Sequence, residues 1–377
     1  MVIQNCRLAT APDRLTHVVL MGSRIGSVGG PVDPQIPQLD AGGRLLSAGF
    51  IDVHVQGAGG ADVLDGTPDA LRTMSVTLAR LGTTAFLGTT VARPGTAHAH
   101  LRVVREYTGA DLGGAVLVGA HLEGPFINVQ KKGGIAPDGI YPSSRALLDE
   151  LYALAGDTLR MMTIAPELPG NLERIRQLVD HGTVAAFAHS CAGYDEFQQG
   201  CDAGITHVTH CFNAMHPMHH RDPGPITALF EHPTLTAQLI ADGNHVHPAM
   251  VRLLCREIGT QRCACITDGV QGMGLPPGRY VYNGREYDSL DGVARYLDGT
   301  LIGTTMGLGE IARRFKQYTG CTIADALATV TLVPARVLGL DGSKGSIAPG
   351  KDADLVILND DLSVHLTMVG GRIVHRS

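Results

Sequence analysis

The feature of the sequence that most constrains its fold is a regular alternation of short apolar runs with longer helix-like stretches between Gly49 and Gly269. Alternation of this kind is typical of βα units that build a parallel sheet. The apolar runs predict eight strands, at residues 50–56, 84–91, 115–123, 160–167, 183–189, 206–211, 236–242 and 263–268. Eight such units predict an α/β fold of the (β/α)8 TIM-barrel type.

The stretch after the first predicted strand shows the helical pattern. Thr67 can cap a helix, Pro68 suits its first position, and Gly82 lies just past its end. An apolar stripe recurs at helical spacing along it, at Leu71, Met74, Leu78 and Leu81. Similar reasoning predicts further helices over 92–107, 144–155, 171–181, 247–258, 307–318 and 322–338.

The two ends of the chain follow a different pattern. Residues 1–47 and 344–377 contain short apolar strands broken by glycine, without enough helix to join a barrel. Because isolated strand pairs are only marginally stable, we expect the two ends to pair into a small β-sandwich. The predicted domains are therefore 1–48 plus 340–377 for the sandwich and 49–339 for the barrel.

Charge and hydropathy exclude several classes of protein. The net charge of −6 argues against a nucleic-acid partner, which would require a basic surface. The N-terminus lacks the basic and apolar regions of a secretory signal, and no apolar stretch approaches the roughly 20 residues of a membrane span. We expect a cytoplasmic protein with no membrane partner, whose eight cysteines stay reduced.

Polar residues stand where the predicted barrel strands end, which is where barrels of this type place catalytic groups. These residues are His54, Gln56, Glu123, His189, His210, His245 and Asp268. In the first strand, period-two alternation puts Ile51, Val53 and Val55 on one face and Asp52, His54 and Gln56 on the other. An ordinary strand with a polar rim explains His54 and Gln56 equally well, since an isolated His-x-Gln is a weak signal.

Glu123, His189 and His210 form a candidate metal site. One carboxylate and two neutral imidazoles, with a water, make the open tetrahedral site of a catalytic zinc. Glu123 alone could be a solvated loop residue, and most of the 17 histidines must have other roles. Asp268, which ends the eighth strand, could accept a proton from water and later pass it to a leaving amine. Its alternative is a simple Asp-Gly turn.

The combined motifs resemble those of the amidohydrolase superfamily, and closely those of the N-acetylglucosamine-6-phosphate deacetylases. They cover nearly the whole chain: SAGFIDVHVQG, HLEGPFIN, KKG, AHS, THCFNAM followed by RDPG, IADGNHVH, ITDG, GTLIG, PARVLGL and GKDADLVIL. The resemblance implies a barrel with a small β-sandwich, usually a homodimer. It also implies a phosphorylated N-acyl amino sugar as substrate and one divalent metal ion, most simply Zn²⁺.

Residue by residue, the resemblance assigns the metal to Glu123, His189 and His210, and the general base and acid to Asp268. It assigns sugar and phosphate contacts, some made across the dimer, to Asn213, Ala214, Arg221 and His245. Arg221 suits a phosphate because its guanidinium offers paired charged hydrogen bonds. Met306, in GTTMGLGE, falls where the family has its acyl pocket, although that sequence departs from the usual one.

Two further positions depart from the family pattern. The loop after KKG usually carries a histidine that polarises the substrate carbonyl, and here Ile135 takes its place. Loss of such a donor can cost roughly 10²–10³ in rate. Either the metal, a second metal or another histidine, such as His219 or His220, replaces it, or the substrate differs. On the first strand, His54 and Gln56 stand between the two-metal His-x-His pattern and the one-metal pattern. Glutamine is a poor zinc ligand, so we expect one tight metal and a weaker second one.

The sequence hypothesis is metal-dependent hydrolysis of N-acetylglucosamine 6-phosphate to glucosamine 6-phosphate and acetate. One alternative keeps the mechanism and changes the substrate, to N-acetylgalactosamine 6-phosphate or another N-acyl amine. A second alternative is a sugar-phosphate binder without activity, for which the loss of the histidine at Ile135 is the one argument.

Overall fold

The computed structural model describes residues 1–282 and 284–377. In chain order the strands are β1 (Val2–Leu8), β2 (Ala11–Met21), β3 (Arg24–Val28), β4 (Gln38–Asp40), β5 (Leu45–Ala48), β6 (Phe50–Val55), β7 (Gly57–Ala58), β8 (Ala61–Asp62), β9 (Thr83–Thr90), β10 (Val116–Glu123), β11 (Leu159–Ile164), β12 (Val184–Phe187), β13 (His207–Val208), β14 (Thr236–Leu239), β15 (Cys263–Cys265), β16 (Gly278–Tyr282), β17 (Arg285–Leu290), β18 (Val293–Tyr296), β19 (Leu301–Thr304), β20 (Leu355–Leu358), β21 (Val364–Val369) and β22 (Arg372–Arg376). The α-helices are α1 (Pro68–Arg80), α2 (His100–Tyr107), α3 (Arg145–Ala155), α4 (Asn171–Asp180), α5 (Tyr194–Ala203), α6 (Gly224–Glu231), α7 (Pro248–Ile258), α8 (Leu308–Thr319), α9 (Ile323–Ala328) and α10 (Leu332–Val337). Among the helices so described, none combines the length and the apolar character needed to cross a membrane.

Strands β6 and β9 to β15 form one parallel sheet in the order β15-β14-β13-β12-β11-β10-β9-β6. Its edges meet where the Asp268 amide donates to the His54 carbonyl over 3.0 Å and Val55 pairs with Gly269. The sheet therefore closes almost completely into a barrel, and the predicted α/β TIM-barrel fold is confirmed. Each of the eight predicted strands is present within a few residues of its expected limits.

The first barrel strand is less regular than its sequence predicts. Ile51 and Val53 pack in an apolar cluster shared by strands across the barrel, whereas Val55 packs in the larger cluster that includes the outer helices. The register between β6 and β9 shifts between Asp52 and Val55, so the predicted alternation does not extend to Val55. As a result the His54 ring lies inside the barrel, 4.8 Å from the ring of His121.

The helices outside the barrel follow the expected capping rules. In α1 the Thr67 side chain accepts a hydrogen bond from the Ala70 amide, and Pro68 is the first helical residue, as predicted. The predicted helix over 92–107 begins only at His100, and the one over 322–338 is divided into α9 and α10. Helices α5 and α6 were not predicted. The buried face of α5 consists of Phe197, Gly200 and Ala203, which carry little apolar signal.

The two chain ends share one sheet of eight strands, in the order β22-β21-β20-β5-β1-β2-β3 with β4 paired to β1. Antiparallel pairing of β5 with β20 joins the N-terminal part to the C-terminal part. The sheet buries its own apolar cluster, separate from the barrel clusters: Ile3, Cys6, Val18, Leu20, Ile25, Ala41, Leu46, Ala353, Leu355, Ile357, Leu366 and Met368.

An antiparallel sheet of four strands, β16 to β19, lies between the last barrel strand and α8. We call it the insertion sheet. It packs around Val270, Tyr282, Tyr287, Ala294, Tyr296 and Ile302. The sequence analysis did not predict it, although YVYNGREY contains the Asn-Gly pair that is a strong hairpin signal. It provides part of the wall of the cleft described next.

Candidate active site

The carboxyl ends of the barrel strands surround an open cleft. Its walls combine residues that follow barrel strands with residues of the insertion sheet: Gln56, Glu123, Gly133, Gly134, Ile135, His189, His210, Asn213, Ala214, His245, Asp268, Tyr282, Leu301, Ile302 and Gly303. Of the residues predicted from the sequence, the cleft therefore unites the metal set, Asp268, Gln56, and three of the proposed sugar contacts.

Glu123, His189 and His210 bring their ligand atoms to one point. The Oε1 atom of Glu123 lies 2.9 Å from the Nε2 atom of His189 and 2.9 Å from that of His210. The two Nε2 atoms are 3.0 Å apart, and all three residues are buried. The three side chains come from three different strands, so this convergence depends on closure of the barrel and not on any local motif.

The donor chemistry of this cluster fits a divalent cation. The Nδ1 atom of His189 donates to the Lys131 carbonyl over 2.6 Å, which leaves the Nε2 lone pair of the neutral ring directed at Glu123. Two lone-pair donors and a carboxylate oxygen in contact repel one another unless a proton or a cation lies among them. Ligands of a tetrahedral zinc are separated by about 3.3 Å, so only small adjustments would admit the ion.

The backbone is strained at two of the three candidate ligands, His189 and His210, and at Asp268. His189, His210 and Asp268 have positive φ angles of 49°, 27° and 48°, as do Phe212 and Ala214 in the turn after His210. Non-glycine residues in this region cost about 1–3 kcal/mol each and cluster at functional sites. The same turn places Asn213 and Ala214 beside the ligands, with the Ala214 carbonyl accepting from the Ser190 amide.

Asp268 lies beside the metal cluster and is contacted on one oxygen from two directions. Its Oδ1 atom is 3.2 Å from the Nε2 atom of His54 and accepts a hydrogen bond of 3.2 Å from the Nε2 atom of Gln56. The Nδ1 atom of His54 donates to Gln238 over 3.0 Å, so this ring is held from its other side. Gln56 in turn accepts a hydrogen bond from the Tyr282 hydroxyl.

Burial and charge set the protonation of the cluster. Burial acts to raise the pKa values of Glu123 and Asp268, but the neighbouring histidines outweigh it and hold both pKa values below their usual range. For His54, burial acts to lower the pKa, but the charge of Asp268 and that of Glu123 raise it to about 9. Burial lowers the pKa of His210. Asp268 is therefore an ionised carboxylate, able to accept a proton.

His245 reaches the cleft from the loop after β14 and is oriented by Asp242. The Nδ1 atom of His245 donates to the Oδ2 atom of Asp242 over 2.6 Å, while the other carboxylate oxygen accepts from the amides of Asn244 and His245. Burial acts to raise the pKa of Asp242, but the hydrogen bond and charge of His245 hold the pKa below its usual value. The fixed tautomer leaves the Nε2 atom of His245 available to a ligand.

Two predicted contact residues lie elsewhere. The Arg221 side chain is exposed and donates to the Nε2 atom of His220 over 2.7 Å, so neither it nor the candidate donors His219 and His220 line the cleft of this chain. Met306 is buried in the core and is not a lining residue.

Ile135 occupies the cleft wall where the family resemblance led us to expect a carbonyl-polarising histidine. It is 5% exposed and packs with Val91 and Ile127, so its side chain is an apolar part of the wall. The insertion sheet adds three residues to this wall that were not predicted from the sequence: Tyr282, Leu301 and Ile302. The GTLIG motif contains Leu301 and Ile302, but nothing in the sequence singled out Tyr282.

Comparison with known proteins agrees with this geometry. A model of the amidohydrolase family matches residues 45–374. An N-acetylgalactosamine-6-phosphate deacetylase of Escherichia coli O157:H7 is 37% identical over 344 residues, which cover 91% of this chain and 90% of that protein. An N-acetylglucosamine-6-phosphate deacetylase of Bacillus subtilis is 36% identical over 348 residues, covering 91% of this chain and 88% of that protein.

Solved structures agree as well. A variant of the N-acetyl-D-glucosamine-6-phosphate deacetylase of Mycobacterium smegmatis, in complex with N-acetyl-D-glucosamine-6-phosphate, superposes with a TM-score of 0.89 at 32% identity, covering 96% of this chain and 95% of that one. The N-acetylglucosamine-6-phosphate deacetylase of Pasteurella multocida gives a TM-score of 0.92 at 28% identity, covering 100% and 99%. The chain therefore belongs to the metal-dependent amidohydrolase family, in the branch of the N-acetylglucosamine-6-phosphate deacetylases.

Proposed function

We propose that this enzyme hydrolyses the N-acetyl group of N-acetylglucosamine 6-phosphate, giving glucosamine 6-phosphate and acetate. The observation that carries the proposal is the meeting of Glu123, His189 and His210 with Asp268 in one cleft of an amidohydrolase barrel. Relatives that share about 36% of their residues over some 90% of the chain are named for this reaction. The alternative of a binder without activity is not retained, because the proposed metal ligands and Asp268 line one cleft.

Asp268 acts as the general base and then the general acid. Its carboxylate lies at the cleft, and the low pKa keeps it ionised until it takes a proton from the attacking water. The same proton then passes to the nitrogen of the departing amine, which could not leave as an anion. Contacts from His54 and Gln56 to one carboxylate oxygen leave the other oxygen for this transfer.

We propose Zn²⁺ as the resident metal, held by Glu123, His189 and His210, because neutral imidazole and carboxylate ligands suit it. A divalent ion in this position supplies Lewis-acid polarisation of the amide carbonyl and makes water more acidic. A second, weaker site would involve His54 and Gln56. The Lys131 carbonyl holds His189 in the tautomer that ligation requires.

Substrate binding is assigned to Asn213, Ala214, Arg221 and His245, with Met306 placed near the acyl group by family resemblance alone. His245 is oriented by Asp242 and faces the cleft. Arg221 is exposed outside this cleft, which is consistent with a cytoplasmic homodimer in which Arg221 reaches the cleft of the partner subunit. In that assembly its guanidinium would bind the 6-phosphate.

A panel of substrates tests the proposal. Free amine released by the metal-loaded enzyme is measured with N-acetylglucosamine 6-phosphate, N-acetylgalactosamine 6-phosphate and unphosphorylated N-acetylglucosamine, alongside the metal content per chain. We expect the highest kcat/KM with the first compound. The galactosamine compound is the necessary competitor, because relatives of the two specificities are 36% and 37% identical to this chain. Faster hydrolysis of the unphosphorylated sugar than of either phosphate would refute the proposal.

A further inference from the structure

A chain of two hydrogen bonds leads from the insertion sheet to Asp268. The Tyr282 hydroxyl donates to the Oε1 atom of Gln56, and the Nε2 atom of Gln56 donates to the Oδ1 atom of Asp268 over 3.2 Å. All three residues line the cleft and are at most 8% exposed. Neither the assignment of the metal ligands nor that of the substrate contacts gives Tyr282 a role.

The direction of these hydrogen bonds makes the hydroxyl important. A glutamine side chain has an acceptor at one end and a donor at the other, and the two ends have nearly the same shape. A hydroxyl that donates to Oε1 fixes the amide with its NH₂ group toward Asp268. Without the hydroxyl, Gln56 could turn over and present its oxygen to a carboxylate oxygen, which would repel it.

The packing of Tyr282 holds the hydroxyl in that place. The ring is buried among Val270, Tyr287, Tyr296 and Ile302, which restricts its position. A phenylalanine could fill the same space and remove only the donor.

We propose that Tyr282 is a positioning residue for Asp268 and acts through Gln56. The hydroxyl fixes the Gln56 amide, the amide holds one oxygen of the Asp268 carboxylate, and the other oxygen is thereby directed to the reacting water and amine. The inference rests on the proposed function only in taking Asp268 as the proton-transfer group. It makes the insertion sheet part of the catalytic geometry as well as part of the cleft wall.

The test compares Tyr282→Phe with Tyr287→Phe, each in the parent enzyme and in the Asp268→Asn background. Tyr287 is the matched control, since it is a buried tyrosine of the same sheet whose hydroxyl accepts from the Gly272 amide and does not line the cleft. We measure kcat, KM, metal per chain and melting temperature. Gln56→Met, which removes both hydrogen bonds at similar size, tests the same chain without altering the sheet.

For Tyr282→Phe we expect kcat to fall roughly 10- to 100-fold, with KM within about 2-fold and metal content unchanged, because small misplacements of a catalytic group have effects of this size. Gln56→Met should show the same loss, and the double variant should be no worse than either single one. In the Asp268→Asn background, Tyr282→Phe should alter the residual turnover by less than about 2-fold. Tyr287→Phe should keep the parent kcat.

Equal fractional losses in both backgrounds, or a Tyr282→Phe enzyme as active as Tyr287→Phe, would overturn the inference. Failure of the proposed function gives a different result, since the parent enzyme itself would then be inactive on the acetylated sugar phosphates. If Tyr282→Phe does not fold, Gln56→Met is compared in the parent enzyme and in Asp268→Asn. A loss of kcat in the parent alone supports the inference, and equal fractional losses in both overturn it.

Discussion

The two walls of the cleft are built on different principles. One wall, which we call the strand-end wall, consists of Glu123, His189, His210 and Asp268, each at or just after the end of a parallel barrel strand. The other, the insertion wall, consists of Ile135 with Tyr282, Leu301 and Ile302. The first wall is charged and positioned by strained backbone, whereas the second is largely apolar and positioned by packing.

The difference shows how such a barrel divides its tasks. The strand-end wall contains the three proposed ligands of the tight metal site and the proposed proton-transfer group, and its position follows from the closed barrel. The insertion wall places apolar surface beside these groups. Its polar contact to them is the hydrogen bond from the Tyr282 hydroxyl to Gln56. Variants of the two walls should therefore fail in different ways, with loss of metal or turnover for the first and finer effects for the second.

The largest effect is expected when a metal ligand is removed. His210→Ala should lower the bound metal from one ion per chain to near zero and reduce kcat by at least roughly 10³-fold, because both the ion and its Lewis acidity are lost. Metal analysis after dialysis and the free-amine assay measure the two effects. The control is His207→Ala, on the same strand, whose ring bonds to Thr236 below the cleft. It should cost stability and keep the metal, and metal retention by His210→Ala would remove His210 from the ligand set.

Asp268→Asn should separate metal binding from proton transfer within the same wall. The amide cannot accept the proton, so kcat should fall by roughly 10²–10⁴ while the metal content stays at the parent value. Substrate affinity, measured by calorimetry, should change little. Near-normal turnover of this variant would mean that another group moves the proton and that the strand-end wall is not the complete catalytic set.

The strand-end wall could be predicted from the sequence, whereas the sheet that supplies the insertion wall beside Ile135 could not. Glu123, His189 and His210 each follow an apolar run, and parallel strands of a barrel end at one edge, so their proximity follows from the fold class. The inward turn of His54 needed knowledge of the register shift in β6. Tyr282 belongs to an antiparallel sheet whose place over the barrel mouth depends on tertiary packing, which no periodicity in the sequence encodes.

A moderate effect is expected at Asp242, which orients His245 without itself lining the cleft. In Asp242→Asn an amide NH₂ can face the Nδ1 proton of His245, so the ring loses its fixed tautomer and orientation. Loss of such a supporting partner typically costs 10- to 100-fold, and we expect kcat/KM to fall roughly 10-fold, mainly through KM. Adding Asp242→Asn to His245→Ala should then cost nothing further. An additional loss in the double variant would show that Asp242 acts on the site independently of His245.

The smallest effect on turnover is expected at Asp62, whose charge should instead influence the stability of the fold. This carboxylate caps the turn after β8 by accepting from the Leu64 amide over 2.8 Å, and its Oδ2 atom has no hydrogen-bond partner within residues 1–282 and 284–377. Burial raises the pKa of Asp62 to about 7 from an ordinary value of 3.8. The folded state therefore binds the Asp62 proton more tightly than the unfolded state does, and the protein loses stability as the pH rises from about 4 through 7.

Asp62→Asn keeps a capping oxygen and removes the charge. The variant should therefore become more stable than the parent as the pH rises. We expect the variant to gain at most about 4 kcal/mol in unfolding free energy relative to the parent between pH 4 and pH 8, measured by urea unfolding. Asp65→Asn, in the same capping box but exposed, is the matched control and should weaken the pH dependence of the parent only slightly, because the Asp65 charge raises the pKa of Asp62 less than burial does. Parallel stability curves for the parent and Asp62→Asn would show that the Asp62 carboxylate is solvated in the folded protein.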